Sequence, residues 1–498
     1  MARLHMGLGT AALMLGLASA AQAAPPTSTA PASSPGTAIA IMQADAALQS
    51  SDCAAALGPL NQLWDDPYLQ NSDPDLAAEM RLRLIACTAE KSSLAEALTL
   101  STENISRPGS GLAAYDMQAF LLLAGNQPAA AADALDAAMT RFPGDAPNLS
   151  DMTVFGTLAL LHDSAPAREL ALLDHAEQVR WQTHILSARS ELGLMRIEGL
   201  RAAVAAGHDD LAALYRTDLK TDAFSYIVSQ GDGLATPPDA VPDPVEPIIA
   251  AQIKEAQAAI VKSPNDLMTL VYLMNLERAD GQNDTALTQL NGILALVDQY
   301  GLQNFQNPEL YGELLGIRGQ LLSAMGRQAD ALVAFKDGET RLANLPAGDF
   351  YADYAGYLVA SGDDKGAIAL IDRIDVASFS DSEKASLITT DACAFGHIGD
   401  AGNYAAFVGV LGDPLMRVHP HLCAGDADKA AADLIAGMAA PDDRAGAVLM
   451  MQATAQAVPA SDSDRAALTA VAALRTRADV MTAADAAKIV SRSWPLQY

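Results

Sequence analysis

Aromatic residues, basic residues and long apolar runs are all scarce in this chain of 498 residues. Phe, Trp and Tyr make up 5% of the sequence, and alanine supplies much of the apolar half. This composition suits helices that pack closely through small side chains, and it disfavours β-sandwiches. Lys and Arg number 31 against 60 Asp and Glu, for a formal net charge of −29. Such an acidic surface repels nucleic-acid phosphates and anionic lipid headgroups, so we expect no nucleic-acid partner.

Sequence motifs of catalysis are missing as well. The chain has no HExxH, no Gly-rich phosphate loop ending in Lys-Ser/Thr, and no GxSxG. The GSGLAA stretch at 109–114 matches a loose dinucleotide-binding pattern, but a polar, turn-like segment precedes it where that fold needs a strand. The sequence therefore predicts no catalytic residue and no cofactor, and an enzyme is the weaker hypothesis.

The first 23 residues have the layout of a secretory signal peptide. Arg3 supplies the positive end, Met6 to Leu17 form a short apolar core, and AQA at 21–23 fits the small-x-small cleavage rule. The apolar core is shorter than the ~20 residues that a membrane span needs. We therefore expect cleavage near Ala23, with ASA at 18–20 as a second option, and a periplasmic or secreted mature chain without a membrane span.

A short pattern recurs along the chain and is clearest in YGELLGIRGQLLSAMGRQADALVAFKDGE, residues 311–339. Gly326 ends one apolar-faced helix, and a second helix places Ala331, Phe335 and Gly338 at 5, 9 and 12 residues after it. Small residues at two of these positions let two helices approach, and the large one fills the gap between them. A similar pattern, small or apolar at its last position, follows Gly281, Gly362 and Gly425.

This pattern resembles the tetratricopeptide repeat, a hairpin of two helices with a Gly turn and a period of 34 residues. Arg318 stands where that family has Leu, and Glu277 stands where it has Tyr. The spacing is also irregular, since Gly281 precedes Gly326 by 45 residues. The resemblance implies an all-α fold, a superhelical array of antiparallel helix hairpins in two sub-arrays.

Changes in composition suggest how the array is divided. Residues 24–37 are rich in Pro, Ser and Ala and predict a disordered tether, and residues 230–247 are dense in Pro and Gly and predict a linker or loop. We therefore expect an N-terminal array over 38–229, a second array over 248–440 and a helical cap over 441–498.

Four cysteines divide into two pairs. Cys53 and Cys87 are 34 residues apart, about one repeat, at a helix start and a neighbouring helix end. Cys393 and Cys423 lie toward the ends of successive first helices. An oxidising compartment makes disulfides the leading hypothesis for both pairs. For the second pair, free thiols and a metal site remain open, and the metal site would add three nearby histidines: His397, His419 and His421.

If the resemblance holds, the family's peptide-binding positions fall on the first helices of two hairpins. They correspond to Met268, Val271, Asn275, Arg278, Glu313, Gln320 and Ser323. Arg278 is the single cation among them, so the family's basic clamp for carboxylates is not seen. The resemblance implies a periplasmic scaffold or adaptor that binds a protein or peptide of the cell envelope. The alternative is an all-helical envelope enzyme, or a metal-binding protein, with a site that no motif reveals.

Overall fold

The computed structural model describes residues 34–234, 242–342, 345, 347–455 and 458–497. These residues form two compact units. The N-terminal unit contains 34–185 and 202–215, and the C-terminal unit contains 186–201 and 216–497. The predicted signal peptide lies outside the described residues.

Helices α1 to α9 belong to the N-terminal unit. Their bounds are α1 Pro35–Gln49, α2 Cys53–Leu63, α3 Pro67–Ser72, α4 Pro74–Lys91, α5 Leu94–Asn104, α6 Leu112–Ala124, α7 Pro128–Arg141, α8 Asp151–Ser164 and α9 Pro166–Gln178. Two further helices have residues in both units: α10 Arg189–Ala206 and α11 Asp209–Asp218.

The other helices belong to the C-terminal unit. Their bounds are α12 Ala223–Gly231, α13 Glu246–Lys262, α14 Leu267–Ala279, α15 Asn283–Tyr300, α16 Tyr311–Ala324, α17 Gln328–Arg341, α18 Gly348–Ala360, α19 Asp364–Ile371, α20 Asp381–Ile398, α21 Ala401–Val410, α22 Pro414–Cys423, α23 Ala427–Ala439, α24 Arg444–Met451, α25 Asp462–Arg475 and α26 Ala478–Ala486. Two strands of two residues each, β1 Ala453–Thr454 and β2 Ser493–Trp494, pair in parallel. In the described part of the chain, no helix combines the length and apolarity needed to cross a membrane.

Consecutive helices pair as hairpins, and local chemistry sets their ends. Glycine with a left-handed φ makes the turn after a first helix, with φ of 75° at Gly326 and 84° at Gly362. Only glycine adopts this conformation without a steric cost. Polar side-chain caps begin several of the helices, as at α20, where Ser380 and Glu383 form a reciprocal capping box. The prediction of an all-α array of antiparallel hairpins is confirmed.

Glycine and aromatic side chains hold neighbouring hairpins together. Gly319 of α16 lies directly against the ring of Phe335 in α17, so closely that a Cβ at this position would collide with the ring. The same ring of Phe335 stacks on Tyr354 of α18 at 5.1 Å between ring centroids. This chain of contacts joins the two helices of one hairpin to the first helix of the next. It forms part of a continuous apolar core from α12 to α20.

The two departures from the repeat pattern are accommodated by polar partners. Arg318 donates to Asp337 across its own hairpin at 3.1 Å. Glu277 is fully buried and accepts a hydrogen bond of 2.9 Å from Gln289. Burial raises the pKa of Glu277. Buried polar groups need such partners. The hairpins therefore keep the geometry of the repeat, with a polar contact at each of these two positions in place of an apolar one.

The predicted tether and linker both need correction. Helix α1 begins at Pro35, inside the predicted tether, because Ser34 accepts from the backbone N–H of Thr37 and proline suits the first turn. The predicted linker lies inside the C-terminal unit and does not divide the chain. Tyr226 of α12 donates to the carbonyl of Asp243 at 3.1 Å, which ties the two ends of that loop together. Residues 235–241 of the loop lie outside the described residues.

The C-terminal segment, residues 444–497, returns along the array and is more than a cap on its last hairpin. It crosses the ends of several first helices. The backbone of Gln497 donates to Ala279 at the end of α14 (2.8 Å), and Ser461 donates to Ala360 at the end of α18 (2.5 Å). This return also buries Trp494 and Leu496 in the core of the unit, which explains why the segment does not stay at the end of the array.

The contact between Gly319 and Phe335 predicts that one methyl group added at position 319 destabilises the fold. We expect Gly319→Ala to lower the free energy of unfolding by about 1–3 kcal/mol, because the tightly held ring has no space to move into. Gly292→Ala is the matched control, since Gly292 is also within a helix but has open space around it. That change should stabilise by about 0.5–1 kcal/mol through helix propensity. Urea unfolding followed by circular dichroism measures both, and equal effects would contradict the packing described.

Candidate functional site

Polar and acidic side chains converge on the first helices of three successive hairpins, α14, α16 and α18. We call this group the acidic cluster, and it consists of Asn275, Arg278, Glu313, Gln320, Asp349 and Asp353. Asp349 is exposed and the others are half-buried. The cluster therefore lines a surface that solvent and a ligand can reach.

Three hydrogen bonds organise the acidic cluster. Arg278 donates to the amide oxygen of Gln320, and Gln320 is in turn hydrogen-bonded to the carboxylate of Asp353. The side chain of Asn275 is hydrogen-bonded to Glu313. These amides connect α14 to α16 and α16 to α18, so the packing of the first helices fixes the positions of the carboxyl groups.

Gly316 makes room for one of these carboxylates. A Cβ at this position would collide with Oδ2 of Asp353. Because the side chain is absent, the carboxylate of α18 can lie against the backbone of α16. Close backbone approach of this kind is a frequent reason for glycine within a helix.

The surroundings of the carboxyl groups in the acidic cluster disfavour their ionised, negatively charged form. Burial, and then repulsion from Asp349, raise the pKa of Glu313 to about 7. Burial also raises the pKa of Asp353 to about 7, although Arg278 acts in the opposite direction. Although Asp349 is exposed, desolvation by the groups packed around its carboxyl, and then repulsion from Glu383, raise its pKa. One guanidinium thus faces three carboxyl groups, and near neutral pH the cluster has a deficit of positive charge.

The structure distributes the predicted binding residues among three environments. Asn275, Arg278, Glu313 and Gln320 meet in the acidic cluster. Val271 is 8% exposed and packs in the apolar core, so its assignment to the groove is corrected. A β-branched side chain gains more from that contact than from facing solvent.

The remaining two predicted residues lie on the same first helices as the cluster, outside the cluster itself. Met268 is half-buried in the first turn of α14. The hydroxyl of Ser323 donates to Gln328 at 3.1 Å across the turn between α16 and α17. Both are partly accessible from the side of the first helices.

Sequence reasoning missed Asp349 and Asp353. Asp349 could have been found, because it precedes Gly362 by 13 residues, as Glu313 precedes Gly326 and Met268 precedes Gly281. Asp353 has no acidic counterpart at the same offset in the two preceding hairpins. Its place in the cluster depends on the space at Gly316, which only the structure reveals.

The cysteines pair as the sequence predicts. Disulfides join Cys53 to Cys87, with 5.0 Å between Cα atoms, and Cys393 to Cys423, with 5.1 Å. His419 points at the second bridge, with Nε2 at 3.7 Å from each of its sulfur atoms.

The suggested metal ligand His421 is not part of this group. Its Nε2 lies 3.1 Å from a carboxylate oxygen of Asp433, and its Nδ1 is hydrogen-bonded to Tyr404. His419 and His421 are two residues apart on α22, so their side chains lie on different sides of the helix. From the sequence, both were candidate ligands of one site.

Comparison with known proteins gives similarity in fold only. No family model matches the chain, and no curated protein matches it in sequence. A tetratricopeptide repeat protein from Parabacteroides merdae is 12% identical over 72% of this chain and 99% of its own, with a TM-score of 0.27.

Two solved complexes are similar at the same level. The APC/C hetero-tetramer Cut9–Hcn1 is 13% identical over 91% of this chain and 90% of the other, with a TM-score of 0.34. Naa15/Naa10 bound to HypK-THB is 11% identical over 80% of this chain and 62% of the other, with a TM-score of 0.25.

The hairpin geometry itself defines the class of protein. Glycine turns, the contact of Gly319 with Phe335 and the stacking of successive first helices are the features of a tetratricopeptide-like helical repeat. The chain is an α-helical repeat protein of this kind.

The raised pKa of Glu313 predicts how stability depends on pH. The folded chain holds this proton up to about pH 7, whereas an unfolded chain loses it near pH 4.3. The stabilising contribution is therefore complete below about pH 4 and is lost as pH rises through 7. We expect Glu313→Gln to be more stable than the wild type at pH 8, with a smaller difference at pH 5.

Urea unfolding at the two pH values measures this effect. Glu309→Gln, at an exposed position just before α16, is the control and should change stability equally at both. An equal effect of Glu313→Gln at pH 5 and pH 8 would show that its carboxyl is not perturbed.

Proposed function

We propose that this protein is a periplasmic scaffold or adaptor that binds a positively charged segment of a partner protein on its acidic cluster. The observation that carries the proposal is the imbalance of charge on α14, α16 and α18. Arg278 is the one cation within the cluster, against the carboxyl groups of Glu313, Asp349 and Asp353.

A lysine or arginine of the partner supplies the missing charge. Carboxyl groups with raised pKa values lose a proton when a cation approaches, because the opposite charge favours the ionised form. Asp349 is exposed and gives such a side chain access to the deeper carboxyl of Asp353. Charge-assisted hydrogen bonds in a partly desolvated groove are stronger than those on an open surface.

The surface next to the cluster favours a peptide segment over a lone ion. One to two turns beyond Asp353 on α18, Gly356 and Val359 line a small pocket of about 90 Å³. Ala467 of α25 forms part of its other wall. A segment with a basic side chain and a neighbouring small apolar side chain would occupy both regions, as extended segments do on the inner faces of helical repeats.

Site-specific photo-crosslinking tests this proposal. A photoreactive benzoylphenylalanine placed at Ser323, on the first helix α16, should form a discrete adduct with a protein of the envelope fraction. The matched control is the same group at Val333, which is 67% exposed on the second helix α17. We expect no discrete adduct from that position, and a loss of at least tenfold of the Ser323 adduct when Asp349→Lys reverses the charge.

Equal adducts from both positions, or an adduct from Ser323 that Asp349→Lys leaves unchanged, would contradict binding on the acidic cluster. The absence of any adduct from Ser323 in the natural envelope fraction would contradict it too.

The proposed location in the periplasm has its own support and test. Arg3, the short apolar core and the cleavage pattern at Ala23 have the form of an export signal, and two disulfides suit an oxidising compartment. We expect the protein in the periplasmic fraction to begin at Ala24 when its intact mass and N-terminal sequence are measured. Recovery with Met1–Ala23 still attached, in the cytoplasmic fraction, would contradict export.

A further inference from the structure

Two helices each present a cysteine and a histidine at a spacing of four residues. Cys393 and His397 lie on α20, and His419 and Cys423 lie on α22. Residues four apart on a helix share a face. The disulfide shows that the two faces meet, so four side chains with soft or borderline ligand atoms come together.

Three of the four side chains have ligand atoms within reach of one ion, and His419, which contacts both sulfur atoms but is not part of that group of three, joins them once the sulfur atoms separate. Ligand atoms of Cys393, His397 and Cys423 all lie within 4.8 Å of one another. His419 Nε2 is 3.7 Å from both sulfur atoms. A tetrahedral ion with Zn–S of about 2.3 Å and Zn–N of about 2.0 Å holds sulfur and nitrogen roughly 3.5 Å apart, and two sulfur atoms roughly 3.8 Å apart.

A carboxylate orients one of the histidines. Oδ1 of Asp364 lies 2.9 Å from Nδ1 of His397. With that nitrogen donating to the carboxylate, Nε2 keeps its lone pair and can bind a metal ion. Metal-bound histidines in proteins almost always have such a partner, which also increases the basicity of the ligand.

We propose that reduction of the Cys393–Cys423 disulfide converts this group into a zinc site with four ligands: Cys393, His397, His419 and Cys423. A dithiol supplies two electrons and two protons, its own sulfur atoms form a disulfide, and the protein disulfide becomes two thiols. Zn²⁺ then binds both sulfur atoms as thiolates and releases the two thiol protons. Thiolate and imidazole in tetrahedral geometry are the ligand set typical of zinc.

The two disulfides differ in access to a reductant. Cys423 is half-buried and lines the pocket of about 90 Å³, which opens to solvent and which Thr390 and Asp464 also line. A thiolate can therefore reach this sulfur. Cys53 and Cys87, in contrast, are buried in the apolar core of the N-terminal unit. The second bridge should thus be reduced first, since thiol–disulfide exchange depends on access.

Cobalt binding tests the proposal in the full mature chain. The protein is treated with a phosphine reductant, which leaves no competing thiol, and is titrated with Co²⁺. We expect one Co²⁺ per chain, with a thiolate-to-cobalt charge-transfer band and the intense visible bands of tetrahedral Co²⁺. Zn²⁺ should displace the cobalt and abolish these bands. The untreated, disulfide-bonded protein should show none of them.

Variants assign the spectrum to this site. The double variant Cys393→Ala/Cys423→Ala should lose the bands, whereas Cys53→Ala/Cys87→Ala should keep them. Asp364→Asn should weaken Zn²⁺ binding by about 10- to 100-fold, as is typical when the partner of a metal-bound histidine is lost. Circular dichroism checks that each variant is folded, and Asp364→Asn serves as the test if a double variant is not.

Three results would overturn the proposal. They are the absence of tetrahedral bands in the reduced wild type, equal bands in the disulfide-bonded protein, and unchanged Zn²⁺ affinity in a folded Asp364→Asn variant. The test does not depend on the acidic cluster, so its failure leaves the proposed partner binding unaffected.

Discussion

The close approach of helices through glycine is the constraint on which the rest of the C-terminal unit depends. Gly319 allows the ring of Phe335 to lie against α16, and the same ring stacks on Tyr354 of the next hairpin. Few aromatic residues are needed, because each one fills space that two or three helices share. A chain with only 5% aromatic residues can therefore build a continuous core, provided that glycine and alanine occupy the facing positions.

The same close packing creates the acidic cluster. First helices that approach through Gly316 bring the carboxyl of Asp353 against α16, beside Glu313 and Arg278. Burial of these carboxyl groups, and then repulsion from Asp349, disfavour their ionised forms in the free protein, and the raised pKa values express that cost. The proposed cationic partner would remove that cost. Under this proposal, the stability of the fold and the affinity for the partner depend on the same side chains.

The fold was predictable from the sequence because the residue pattern that specifies each hairpin lies within a short stretch of the chain. A turn glycine followed by small, large and small residues at fixed offsets identifies the hairpin around Gly326 and its neighbours. The acidic cluster was predictable in part, because five of its residues lie at offsets that the repeat prescribes, although only four of them were named from the sequence. Asp353 was not, since its position depends on the missing side chain of Gly316 on another helix. The return of Trp494 to the core is a long-range contact that no local pattern encodes.

Carboxyl-detected NMR titration of the mature protein tests the account most directly. The account predicts that Glu313 and Asp353 titrate near pH 7 in the free protein. It also predicts that both midpoints fall when a lysine-rich peptide is added, because the bound cation favours the ionised carboxylate. Midpoints near pH 4 in the free protein, or midpoints that saturating peptide leaves unchanged, would contradict it.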